Sequence, residues 1–405
     1  MQFKDVINQK NIQQKLINMY RDNRLSHALL FLGKEGNGAL SLARAFAQFI
    51  VCEKVNNKAD FEINSQSLFD APSIKTDTPE EFNDSCGICP ACKKASKLIH
   101  PDIHFSYPTV TKKSGEKPKA TDFIEDWRLF ASQHPYGNNF DWLQAINAEN
   151  KQGNISATEC EDIAHKLHLK SYEAEYKILI MWMPEFLGKE GNKLLKLIEE
   201  PPPNTLFIFV AENEDLILPT ILSRTQLIKI PALTADEIKN SLINKMAVEP
   251  TQANEISEIS DGNYREALEL LQQVENNWET LLRDWLNTIV KTGPSAQVKW
   301  IEEVGALGRE KQKQFLKYFN HLLQQSIRLS ILGGGNANNQ RLANINDFAS
   351  RFNRLCDISQ LEAIIHDIDS AIYHIERNAN AKIVFHSLTI RIYHIISNKS
   401  VILMS

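Results

Sequence analysis

Alternating short apolar runs and amphipathic stretches over residues 1–231 predict an α/β domain built on a mostly parallel sheet with helices on both faces. Past Pro231 the strand-like runs cease. Helical spacing takes over, first in a small unit over 232–275 and then in long apolar stripes over 276–405. A glycine-rich turn between the first strand and the first helix is the third observation, because such a turn is where an α/β sheet binds phosphate.

The elements follow in order. The run from His27 to Leu32 is apolar, ends in glycine and predicts a buried parallel strand. After the turn Gly33-Lys34-Glu35-Gly36-Asn37-Gly38, the residues Leu40, Ala43, Phe46, Ala47 and Ile50 fall on one helical face. Residues 53–84 are polar and acidic, and residues 111–121 have the composition of an exposed loop or hairpin tip. Both are read as insertions, within a wider interruption over 107–155. The sheet resumes with a strand from Ile178 to Met183. A helix carrying Leu194, Leu195, Leu197 and Ile198 stops before Pro201-Pro202-Pro203. Strands at Leu206 to Ala211 and Leu227 to Ile230 complete the sheet. In the helical tail, Phe315, Leu316, Phe319, Leu322, Leu323, Ile327 and Ile331 form one stripe. Leu361, Ile364, Ile365, Ile368, Ile372 and Ile375 form another, with a break at Gly333-Gly334-Gly335-Asn336.

Composition narrows the function. Hydrophobic residues make up 43% and charged residues 23% of the 405, which describes a soluble globular chain of two or three domains. The apolar runs are too short to cross a bilayer and Met1-Gln2-Phe3-Lys4-Asp5 opens no signal peptide, so a cytoplasmic protein without membrane contact is expected. A net charge of −5 lacks the basic surplus of a protein that grips DNA alone. Any contact with DNA would be made as one part of an assembly.

A phosphate loop needs glycines that let backbone N–H groups surround the phosphates, a lysine for the β- and γ-phosphates, and a hydroxyl for magnesium. Gly33, Gly36 and Gly38 supply the frame, but Ala39 stands at the lysine position and Leu40 at the hydroxyl position. The strand end that should carry magnesium-binding and water-polarising carboxylates reads Trp182-Met183-Pro184-Glu185, with its one acid at the wrong offset. Two matched losses predict a site that neither binds nor hydrolyses ATP.

Six cysteines occur, at 52, 86, 89, 92, 160 and 356. Cys86, Cys89 and Cys92 are spaced so that their thiolates converge on one tetrahedral zinc, with Zn–S near ~2.3 Å. The fourth position falls to Cys52, with His104, His100 or solvent as the alternatives; residues 53–85 lie between Cys52 and the trio. Four thiolates close a site and make it structural. Cys160 and Cys356 are read as buried small hydrophobes.

Several segments together resemble the clamp-loader subunits of bacterial DNA polymerase III, members of the AAA+ class. They are His27 to Phe31, the glycine loop, Leu194-Leu195-Lys196-Leu197-Ile198-Glu199-Glu200-Pro201-Pro202, and Leu218-Pro219-Thr220-Ile221-Leu222-Ser223-Arg224. Asp261 to Leu268 resembles the lid segment with its sensor-2 arginine, here Arg265. Asn378-Ala379-Asn380-Ala381-Lys382 is similar to the end of the family's collar domain. The resemblance implies a RecA-like parallel-sheet core over 1–231 with a zinc-binding insertion, a helical lid over 232–275 and a helical collar over 276–405. It also implies Cys52 as the first zinc ligand, ending the helix after the glycine loop.

Among such subunits, motors keep the phosphate-loop lysine and the acidic strand end. The delta-prime type tolerates losing both, and that type fits this chain. The resemblance then implies that Arg224 acts as an arginine finger on a neighbour's ATP, although Thr225 replaces the cysteine of the family's Ser-Arg-Cys motif. Arg265, facing a dead site, is expected in an ion pair between lid and core. The implied partners are the motor (tau/gamma) and delta subunits, with the sliding clamp and primed DNA reached through the complex. The competing readings are a motor ATPase with an atypical site, against which Ala39 and Leu40 stand, and a zinc-ribbon nucleic-acid binder, against which the acidic balance stands.

Overall fold

The computed structural model describes residues 1–56, 83–111, 117–149, 151–272, 278–332, 348, 350–377 and 379–398. The chain divides into two compact units, Met1–Gln272 and Gln273–Ser405.

The first unit is organised by strands β1 (Ala28–Leu32), β2 (Ile103–Ser106), β3 (Lys177–Trp182), β4 (Thr205–Ala211) and β5 (Gln226–Lys229), in the order β2-β3-β4-β1-β5. All pairings are parallel; Leu30 of β1 lies opposite Phe209 and Leu227, and Ile180 of β3 opposite Ile208. Successive side chains leave a strand on opposite faces, so a sheet covered on both sides demands apolar residues at every position. The packing shows this division. Leu29, Phe31, Ile180, Ile208 and Val210 join the core on one face, and Leu30, Leu179, Met181, Phe207 and Phe209 join the core on the other.

Helices α1 (Lys10–Arg21), α2 (Ala39–Val51), α3 (Glu53–Asn56), α4 (Pro90–Ser96), α5 (Ile124–Gln133), α6 (Asn139–Ala145) and α7 (Ala157–His168) fill the connections before β3. Every residue of α2 is buried, and its Phe46 and Phe49 pack with Phe3. After β3 comes a 3₁₀ stretch, Pro184–Leu194, then α8 (Leu195–Glu199) and, after β4, α9 (Pro219–Leu222). The unit closes with α10 (Ala235–Met246), α11 (Pro250–Ile259) and α12 (Tyr264–Gln272), which share a small core of Leu233, Ile238, Leu242, Ile256, Tyr264 and Tyr136.

Two readings of the sequence are corrected here. Strand β2 was not anticipated. Its four residues, Ile103-His104-Phe105-Ser106, form the sheet edge and lack the apolar continuity of an inner strand. The interruption over 107–155, read as an insertion with an exposed tip, contains core. Trp127, Phe130 and Trp142 are buried, Tyr107 stacks on Trp127 at 4.0 Å, and Trp127 reaches Trp182 of β3 at 5.2 Å. Residues 112–116 and most of the acidic segment, 57–82, lie outside the described residues.

The second unit is helical: α13 (Trp278–Asn287), α14 (Pro294–Gly305), α15 (Arg309–Leu332), α16 (Ile358–Glu376) and α17 (Ala381–Asn398). Trp285 and Trp300 stack with centroids 4.8 Å apart, and Phe315, Phe319 and Phe385 surround them. Both predicted stripes turn inward, except that Ile331 is exposed at the end of the first. The glycine break lies outside the described residues. Among the described residues no helix is long and apolar enough to cross a membrane.

Candidate functional site

The glycine loop joins β1 to α2 with the backbone of a phosphate cradle. Gly36 and Gly38 have φ of +75° and +87°, the left-handed region that side chains disfavour. The space inside the cradle is taken by protein. A Cβ on Gly33 would lie 1.7 Å from the Asn37 amide nitrogen, so Asn37 folds back over the loop. Its Nδ2 donates to the Ile230 carbonyl at 3.0 Å and its Oδ1 accepts from the Ala39 N–H at 3.1 Å. An N–H that a phosphate would need is therefore already in use. Tyr136 closes the other side: a Cβ on Gly38 would meet its ring at 2.7 Å, and its hydroxyl accepts from the Ile7 N–H at 2.8 Å. The remaining cavity, lined by the loop, Tyr136, Trp182 and Glu212, is about 30 Å³. That is room for a water; small-molecule pockets run to roughly 300 Å³ or more.

The neighbouring charges face protein as well. Oε1 of Glu185 accepts from the N–H groups of Glu212 and Asn213 at 2.6 and 3.0 Å, pinning the end of β4, and burial pushes its carboxyl above the usual range. Arg265, at the start of α12, is buried among three carboxylates: Asp141 in a fork at 2.6 and 2.7 Å, Glu35 of the glycine loop at 3.0 Å and Glu269 at 2.6 Å. Burial opposes its charge, but the Asp141 hydrogen bonds and the other acids hold its pKa above the ordinary arginine value. Beside it, an Asn263 oxygen stands where a Gly36 Cβ would be. Asn263, Arg265 and Tyr136 thus occupy the cleft between the glycine loop and α10–α12.

At the far end of α2 four sulfurs converge. The Sγ atoms of Cys52, Cys86, Cys89 and Cys92 lie within 4.8 Å of one another, with Cys86 and Cys92 3.9 Å apart. Four sulfurs at ~2.3 Å from a tetrahedral ion sit ~3.8 Å apart. Backbone N–H groups point at the sulfurs, from Cys86 to Cys52 at 3.3 Å, from Cys89 to Cys86 at 3.3 Å and from Cys92 to Cys89 at 3.4 Å. A hydrogen bond from Cys92 draws the Cys52 thiol down to about 5, while that bond and burial push Cys92 up, and burial pushes Cys89 up. The thiols alone share little negative charge. A divalent cation is what would let all four ionise, and an all-sulfur donor set fits zinc. His100 is turned to Glu173, Nε2 to Oε1 3.1 Å, and His104 lies on β2; neither belongs to the cluster.

Arg224 follows α9 at the surface, its side chain 33% exposed, and it is not among the residues lining the cradle. Its Nε donates to Glu199 Oε1 at 2.7 Å, and Nη2 meets the same oxygen. Nη1 donates to the Thr220 carbonyl at 2.7 Å and the Ser223 hydroxyl at 3.1 Å. The predicted site residues therefore form three separate places: a filled cradle with Arg265, a cysteine cluster, and an exposed arginine. Sequence reasoning missed Asn37, Tyr136 and Asp141 as the residues that fill or clamp the cradle. The signal for the first was an amide between the glycines; the other two sit in a segment read as insertion.

A five-stranded parallel sheet with a glycine loop after β1, the strand between β4 and β5, and helices on its faces defines an AAA+ fold. The sequence profile of the family described as DNA polymerase III, delta subunit, matches residues 8–71 and 68–234, and the chain belongs to that family of clamp-loader subunits. DNA polymerase III subunit tau of Bacillus subtilis (strain 168) is 26% identical over 329 residues, 80% of this chain and 46% of that protein. The delta' subunit of the same organism is 26% identical over 267 residues, 66% of this chain and 60% of its own. The delta' subunit of Haemophilus influenzae is 26% identical over 247 residues, 60% of this chain and 63% of its own. The chain thus matches less than two thirds of the length of each of these relatives. A gamma-subunit-related protein of Thermotoga maritima has 14% identity, with 96% of this chain and 99% of its own covered, and superposes with a TM-score of 0.33.

Proposed function

We propose that this chain is the non-hydrolytic, delta-prime-type subunit of a cytoplasmic DNA polymerase III clamp loader. It binds no nucleotide and presents Arg224 to ATP held by a neighbouring motor (tau/gamma) subunit, alongside a delta subunit, during loading of the sliding clamp on primed DNA. The observation that carries this reading is the filled cradle. Ala39 and Leu40 remove the lysine and the magnesium ligand, and Asn37, Tyr136 and Trp182 leave about 30 Å³. Arg224 supports it from the other side, as a permanently charged, forked side chain at the surface. The four cysteines hold a structural zinc that ties residues 86–96 to the end of α2.

The test is ATP hydrolysis by the reconstituted loader, stimulated by clamp and primed DNA, with wild type against Arg224→Ala. The expected loss is ~10³-fold or more with assembly intact by size exclusion, since positioned arginines contribute ~10³–10⁵ in nucleotide hydrolases. An unchanged rate removes Arg224 from the mechanism. The tau relative, which matches 80% of this chain, gives a second reading as a motor subunit. Magnesium-dependent hydrolysis by the isolated chain would favour it.

A further inference from the structure

We propose that Glu199 is a positioning residue that latches Arg224 away from phosphate until a neighbour's ATP displaces it; this rests on the trans-arginine reading above. The latch joins two segments 25 residues apart in sequence, Glu199-Glu200-Pro201-Pro202 and Leu218 to Arg224. Glu199 is the last residue of α8, where the helix dipole disfavours a negative charge, and three prolines follow after Glu200. The charge that favours Glu199 there is the Arg224 guanidinium, which donates from Nε to one carboxylate oxygen and sets Nη2 against the same oxygen.

The donor count gives the latch its consequence. A guanidinium has five N–H donors. The Nε donor goes to Glu199, whose same oxygen lies against Nη2, and the Nη1 donors go to the Thr220 carbonyl and Ser223 hydroxyl. The Nη2–H groups are left with no free parallel neighbour on Nε or Nη1, whereas forked recognition of a phosphate uses two parallel N–H groups. In this pose the arginine is half neutralised and cannot make the fork. Release of Glu199 alone frees the Nε–Nη2 edge, while Thr220 and Ser223 keep hold of Nη1 as a pivot. A triphosphate, with more charge than one carboxylate, wins that competition once the neighbour presents it. The subunit then carries its finger capped when the interface is open and uncapped when it closes.

The test uses the assembled loader with Glu199→Gln and Glu199→Ala, both at a side chain 45% exposed where substitution leaves the core intact. Hydrolysis is measured without clamp and DNA, and again with both saturating. The latch predicts that the unstimulated rate rises about 1.5- to 5-fold, the equilibrium factor of an exposed ion pair. Alanine exceeds glutamine, and the fully stimulated rate does not change. A purely structural role for Glu199 would instead lower both rates. Glu199→Gln with Arg224→Ala behaves as Arg224→Ala alone. If Arg224→Ala is defective but neither Glu199 variant raises the unstimulated rate, the latch is wrong and the finger stands. If Arg224→Ala is itself silent, the finger reading falls and takes the latch with it.

Discussion

Helix α2 meets a different setting at each end. It begins at a cradle filled by protein side chains and is followed at once by Cys52, one of four converging sulfurs. The same buried helix positions both. The difference lies in whether protein atoms can stand in for the missing group. At the cradle, an amide, a phenol and an indole satisfy the loop's N–H, fill its volume and hold α10–α12 through Tyr136 and Arg265. At the other end, four sulfurs in contact distance can all ionise only where a cation offsets their charge, and among the described residues no side chain there supplies one. Side chains can fill a phosphate cradle; they cannot replace the charge that four thiolates require.

The largest expected effect is at the sulfur end. Cys92→Ser should reduce bound zinc below one per chain and lower stability by roughly 4 kcal/mol or more, as losses of a structural metal do. Metal analysis and thermal melting check this, and a stable variant that keeps its zinc would erase the contrast between the two ends. Next comes an attempt to restore the cradle. Ala39→Lys with Leu40→Ser rebuilds the lost motif, yet both positions are buried and the volume remains filled. The expected result is no recovered ATP affinity and a stability loss of roughly 3 kcal/mol, from a lost core side chain and a buried cation. Tight nucleotide binding by that double variant would mean that residue types alone had closed the site.

The smallest effect concerns the sheet edge at β2. Burial holds the His104 pKa at about 4 against an ordinary 6.5. Its contribution is therefore fully present above pH 6.5. Below that, the unfolded chain takes up a proton that the folded chain refuses, so stability falls as pH drops towards about 4. The loss over that window should be roughly 2 kcal/mol after its partial exposure is allowed for. Urea unfolding at several pH values, with His104→Asn flattening the slope, measures it.

How much of this was legible in the sequence depends on range. Strands β1, β3 and β4 announced themselves because inner parallel strands carry near-continuous apolar runs. Strand β5, although an edge, did so through Leu227, Ile228 and the Ile230 that follows it, and the cysteine trio through its spacing. Tyr136 did not. It stands in Pro135-Tyr136-Gly137 between two short helices, and turn residues of that kind read as loop whether or not they plug a site. Asp141 was equally hidden, since its partner Arg265 is 124 residues away and local pattern carries no sign of that pairing. The missing lysine predicted an inactive cradle, but gave no sign that side chains fill it.

That fullness is the central claim, and isothermal calorimetry of magnesium-ATP against the isolated chain tests it most directly. No saturable heat up to millimolar nucleotide is the predicted result. Saturable binding in the micromolar range would contradict it, because a cavity of about 30 Å³ flanked by Tyr136 and Trp182 has no room for the ligand.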